Sequence, residues 1–92
     1  MRFEFDPAKS QSNKEKHGID FIEAQALWFG SVLELKGVVT PESRTVIIGK
    51  IGDRHWTAVI TKRGENTRII SVRRSRDEEK TEYEKRNQAD FS

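Results

Sequence analysis

Thr61-Lys-Arg-Gly-Glu-Asn-Thr-Arg-Ile-Ile-Ser-Val-Arg-Arg-Ser75 decides how this chain folds. It reads as a strand end, a turn around Gly64-Glu65-Asn66, and a second strand that runs into a helix. Side chains of a strand alternate between its two faces. Along Thr67–Arg74 that predicts Ile70 and Val72 on one face, with Ile69, Ser71 and Arg73 on the other. In the strand before the turn, Ala58 and Ile60 share a face. His55, Thr57, Val59, Thr61 and Arg63 share the opposite one. Pairing apolar with apolar leaves Thr61, Arg63, Ser71 and Arg73 together as a floor of hydroxyls and guanidiniums. A guanidinium presents forked donors that match a phosphodiester. The same floor also fits the solvated face of a half-buried antiparallel sheet.

Outward from this stretch, the middle of the chain is strand-like. Arg44–Ile51 carries Val46, Ile47, Ile48 and Ile51, and Gly52-Asp53-Arg54 is a turn before His55–Thr61. Ser31–Lys36 alternates Leu33 and Leu35 against Val32, Glu34 and Lys36. Gly37–Ser43 holds Pro41 and reads as a loop. Downstream, Ser75 is expected to cap a last helix over residues 76–88. Asp77, Glu78 and Glu79 in its first turn suit the positive end of a helix dipole. Tyr83 is its only large apolar side chain before Phe91, so it has little with which to hold itself down.

The N-terminal third reads as a strand and two helices. Phe3 and Phe5 alternate with Arg2 and Glu4 in a short strand. Asp6-Pro7 is a helix start and Gly18 a helix stop. Between them almost nothing is apolar, and a helix polar all round needs polar partners. Lys9, Asn13 and His17 share one stripe of it. Asp20 with Glu23 forms a capping-box pattern for a second helix. Phe21, Ala24, Leu27 and Trp28 give that helix an apolar side, expected to be the main cover of the sheet, and Gly30 ends it.

Composition bounds the rest. The 92 residues make a single α+β domain, 34% apolar and 35% charged, with a thin core. There is no cysteine, hence no disulfide framework and no thiolate metal site. No apolar run approaches the roughly 18 residues of a membrane span, and the N-terminus is not a signal peptide. A cytoplasmic domain is expected. The net charge of +2 is unevenly spread. Residues 50–76 hold eight basic and two acidic side chains, six of the eight being arginine, whereas residues 77–92 hold three basic and six acidic. Clustered arginine on a sheet favours a polyanion.

The ordered series Phe3-Glu-Phe-Asp-Pro7, Lys9, Asn13, Lys16-His17-Gly18-Ile19, Phe21 and Glu23-Ala24 resembles the opening of BrnT-type toxins. Glu42 with Arg44, Ile48-Gly49, Thr61 with Arg63, Arg68-Ile-Ile-Ser71 with Arg73, and Glu79 with Tyr83 continue the likeness to residue 83. Phe5 stands where that family often has Trp, and the segment from Phe29 to Arg44 is short. The resemblance implies a RelE-like fold, with two N-terminal helices packed on a twisted, mainly antiparallel sheet and a C-terminal helix. It implies a metal-independent endoribonuclease that arrests translation and needs no cofactor. Its partner would be a BrnA-type antitoxin with a ribbon-helix-helix domain, in a heterotetramer that meets DNA only through the antitoxin.

Cutting RNA without a metal requires a base for the 2′-OH, cations for the phosphate and an acid for the leaving oxygen. Arg73 and Arg63 are the expected phosphate clamps. They also fit surface pairs with nearby acids. His17 is the expected acid or base, with Lys16 beside it; its alternative is a side chain that caps the helix. Arg44, Arg68 and Lys9 are expected to widen the cationic surface. Tyr83 either stacks on a base or anchors the last helix. His55 is the other possible acid or base, Trp28 and Trp56 belong to the core, and Ser71 orients Arg73. No His, Asp and Glu have metal-ligand spacing. A non-enzymatic nucleic-acid-binding or partner-binding module remains the alternative function.

Overall fold

The computed structural model describes residues 2–36 and 44–89. Glu42, Phe91 and the loop containing Pro41 lie outside the described residues. Strands β1 (Arg2–Glu4), β2 (Leu33–Lys36), β3 (Arg44–Ile51), β4 (Arg54–Arg63) and β5 (Asn66–Arg74) form one sheet. Its order is β1-β5-β4-β3-β2. β2, β3, β4 and β5 pair antiparallel, and β1 lies parallel to β5. The α+β, mainly antiparallel expectation therefore holds. Gly52 and Gly64 take φ of 62° and 61° at the two hairpin turns, where left-handed backbone favours glycine.

The sequence's strict alternation fails in β5. Val59 pairs with Ser71 and Ile60 with Ile69, so Ile70 is an extra residue in a bulge. The bulge shifts the parity of the strand. Ile69 and Val72, not Ile70 and Val72, share the core, at 2% and 0% exposure.

Helix α1 (Pro7–His17) begins and ends as its sequence predicts. Asp6 accepts from the Ala8 and Lys9 amides, and Gly18, at φ 81°, donates to the Lys14 carbonyl. The polar partners that this helix needs are backbone groups. Asn13 Nδ2 donates to Val72 O at 2.9 Å and to Ile19 O at 2.8 Å, and Asn13 Oδ1 accepts from Val72 N. Asn13 thus continues the β5 ladder where β1 has stopped. Ser10 Oγ accepts from the Phe21 amide.

The expected second α-helix is instead a 3-10 helix, Glu23–Phe29. Its buried residues explain the difference. Phe21, Ala24 and Leu27 recur every third position, which is the period of a 3-10 helix. The capping box forms: Asp20 accepts from the Glu23 amide at 2.7 Å and Glu23 accepts from the Asp20 amide at 3.0 Å. This segment covers one face of the sheet, over Ile47, Trp56, Ala58, Ile60, Ile69 and Val72. Gly49 permits the close approach, because a Cβ there would sit 3.1 Å from Leu27 and 3.2 Å from Val32.

Helix α2 (Asp77–Ala89) covers part of the other face, where Tyr83 packs with Leu33, Ile48 and Val46. Ser75 is not its cap. Its hydroxyl turns inward to Thr57 Oγ1 at 2.8 Å, and Glu79 instead reaches back to the Arg76 amide at 2.7 Å. No helix among the described residues is long and apolar enough to cross a membrane.

Candidate nucleic-acid site

Register builds the site. Glu4 lies beside Arg68, Arg68 beside Thr61, and Thr61 beside Arg44. Neighbouring strands stand roughly 4.8 Å apart, so this row crosses four strands in roughly 14 Å. Arg63 lies on the same face, two residues beyond Thr61. From Arg68 to Arg44 the row is the floor of an open cleft of about 610 Å³ lined by Lys9, Arg44, Thr61, Lys62, Arg63, Arg68 and Ile70. Lys9 enters from the first turn of α1, over the bulge that turns Ile70 to this side. All five charged lining residues are cations.

Among the described residues two acids adjoin them. Glu34 Oε1 accepts from Lys62 Nζ at 2.8 Å. Glu4 Oε1 is 3.6 Å from Arg68 Nη1 and 3.8 Å from Arg63 Nη1, and Glu4 Oε2 accepts from Asn66 Nδ2. Arg63 keeps 61% of its side-chain exposure and Arg68 34%. A guanidinium this open, with so loose a pairing, is available to an anion.

The other end of the same face is closed. Arg73 donates to both oxygens of Glu79, at 2.7 and 2.9 Å. Glu79 also accepts from Thr57 and from the Arg76 amide. Burial pushes the Glu79 carboxyl up, but Arg73, the Arg76 amide and Thr57 together outweigh it and hold it at about 2. Next to this pair, His55 Nε2 meets Glu84 Oε1 at 2.7 Å and its ring stands edge-on to Tyr83.

The structure therefore gathers Lys9, Arg44, Arg63 and Arg68 but not Arg73, which ties β5 to α2. Tyr83, 4% exposed, donates its hydroxyl to Ser31 O at 2.9 Å; in this conformation it is the anchor of α2. His17 and Lys16 are exposed at the far end of α1, about 12 Å along the helix axis from Lys9. Among the described residues His17 makes no side-chain hydrogen bond, and the Gly18 amide supplies the cap. Trp56 is in the core beneath Arg74, and Trp28 packs at its edge against Phe3. Sequence reading passed over Lys62 and Glu4. Lys62 alternates inside a strand like any solvated charge, and Glu4 gains meaning only once β1 is known to lie beside β5. Among the described residues no group of three or more His, Asp or Glu could hold a metal ion.

A small α+β domain with an open, purely cationic cleft on a sheet face belongs to the class that binds a polyanionic backbone. The family model of the BrnT ribonuclease toxin of type II toxin–antitoxin systems matches residues 5–79. The chain belongs to this family, which makes it a ribonuclease toxin with RNA as its substrate class and an antitoxin as its partner. No curated protein matches it.

Proposed function

We propose that this toxin cleaves RNA without a bound metal ion, on the sheet face between Lys9 and Arg44. The observation that carries the reading is the cleft itself, with five cations and no acid in its lining. Arg63, Arg68 and Arg44 hold the phosphate and the negative charge that grows on it when the 2′-oxygen attacks. Lys9 and Lys62 hold the flanking backbone. Arg73 joins as a clamp only where Glu79 releases it. His17 and Lys16 take part only where the strand continues along α1.

The same reading supplies the cellular setting. The domain is RelE-like, acts in the cytoplasm on RNA and arrests translation. Its antitoxin is of the ribbon-helix-helix BrnA type, binds in a heterotetramer, and carries the only DNA contact. Acidic side chains of the antitoxin suit the cationic cleft, and such charge matching speeds association.

The test is cleavage of a defined RNA by purified toxin in EDTA. The expected products carry 2′,3′-cyclic phosphate and 5′-hydroxyl ends. Arg68→Ala is expected to slow cleavage, while His17→Gln reports whether the strand reaches the end of α1. Activity that disappears in EDTA and returns with Mg²⁺ overturns metal independence. Salt-dependent RNA binding with no cleavage selects the non-enzymatic alternative.

A further inference from the structure

The cationic row ends in a carboxylate, and its surroundings are unlike those of an ordinary surface pair. Glu4 stands at the β1 edge, beside Arg68 and within reach of Arg63. Its Oε2 is fixed by Asn66 Nδ2. Its Oε1 is 3.6 and 3.8 Å from the two guanidiniums, too far for a hydrogen bond. Among the described residues, Oε1 receives no hydrogen bond. The side chain keeps 31% of its exposure. Glu4 is thus an oriented carboxylate with one unoccupied oxygen, next to the two arginines that would hold a phosphodiester. Among the described residues the other acid that meets the lining, Glu34, is taken up by Lys62 at 2.8 Å.

We propose that Glu4 is the general base of RNA cleavage. This rests on the ribonuclease reading above and adds the residue that starts the reaction. A phosphate seated between Arg63 and Arg68 brings the adjacent ribose toward Glu4. Oε1 takes the proton of the 2′-OH, and the oxygen's electron pair forms the new bond to phosphorus. The bond from phosphorus to the 5′-oxygen breaks. The ammonium of Lys9, which lines the same cleft, gives that oxygen a proton. The products are a 2′,3′-cyclic phosphate and a 5′-hydroxyl, and Glu4 returns its proton to Lys9 through water. The flanking arginines stabilise the phosphorane charge.

Glu4→Gln isolates this role. Its amide oxygen can keep the bond from Asn66, but it cannot accept a proton at neutral pH. Single-turnover cleavage of a short RNA by the full chain is expected to fall roughly 10²–10⁴-fold. Binding of the same oligonucleotide with 2′-deoxyribose at the cut site is expected to stay equal or tighten, because a negative charge beside two arginines has gone. A melting curve confirms the fold. Cleavage within about threefold of wild type, well short of the loss expected for a base, overturns the proposal. So does a rate loss matched by lost binding, which would mark Glu4 as a prop for Arg63 and Arg68. If Glu4→Gln does not fold, the wild-type pH profile decides. A base requires log kcat/KM to rise with unit slope on the acid side, and a flat acid side overturns it. Failure of the underlying reading looks different: wild type itself does not cut RNA, or Arg68→Ala cuts it at full rate.

Discussion

Acidification should loosen α2 through one carboxyl group. Glu79 is held at about 2 against an ordinary value of 4.5, and it keeps only 18% of its side-chain exposure. One pKa unit corresponds to about 1.4 kcal/mol. The depression is therefore worth roughly 3 kcal/mol at pH 7, and about 2 kcal/mol once partial solvent access is discounted. A depressed carboxyl stabilises the fold above its unfolded value and loses that contribution as pH falls toward the folded one. The window thus runs from about pH 4.5 down to pH 2. Glu79→Gln removes the titration but keeps a side chain that can still bond Thr57. Urea unfolding of wild type and variant at pH 7, 5 and 3 measures the difference. At pH 7 wild type should be more stable by about 2 kcal/mol, or on the order of 10 °C in Tm for a domain of this size. By pH 3 the gap should shrink to under about half. A gap that stays constant with pH, or is absent at pH 7, refutes the assignment of this stability to the Arg73–Glu79 pair.

Two further outcomes follow from buried polar contacts. Asn13→Ala leaves the Val72 amide and carbonyl and the Ile19 carbonyl without partners, and should cost roughly 2–4 kcal/mol in urea unfolding. Tyr83→Phe removes only the bond to Ser31, so it should cost about 1 kcal/mol and lower Tm by about 4–8 °C. RNA cleavage by Tyr83→Phe should match wild type below its melting range, whereas a large rate loss would show that the hydroxyl leaves its anchor to meet RNA.

Much of the fold was legible because its signals are local. Asp6-Pro7 and Gly18 mark α1, and the Asp20–Glu23 box marks the second cover, since caps depend on residues a few positions apart. The apolar run of β3 and the alternation in β4 were equally plain. The bulge was not, because Ile70 is as apolar as Ile69 and an inserted residue leaves no compositional trace. The 3-10 geometry hides for a similar reason, as Phe21, Ala24, Leu27 and Trp28 suit a period of 3.6 almost as well as one of 3. In the site, Lys9, Arg44, Arg63 and Arg68 were each singled out, yet their meeting depends on cross-strand register. The pairing of Arg73 was hidden because its partner, Glu79, follows it by six residues across a change of element. Glu4 could not be read at all until β1 had a neighbour.

The extra residue in β5 also sets what kind of change this strand can absorb. Arg68 and Arg73 are five positions apart, an odd interval that in a regular strand would send them to opposite sides. Ile70 makes the interval effectively even, so both arginines face away from the core while Ile69 and Val72 face into it. Substitutions along the strand alter the interior or the binding face by degrees. The bulge itself does not act by degrees. Pairing the strand regularly with Ile70 retained would turn one half over relative to the other, exposing Val72 and burying Arg73, or exposing Ile69 and burying Arg68. Deleting Ile70 would instead leave Arg68 and Arg73 four positions apart and on one side without any bulge, so the strand keeps both a core and a cleft only when its length and its bulge agree.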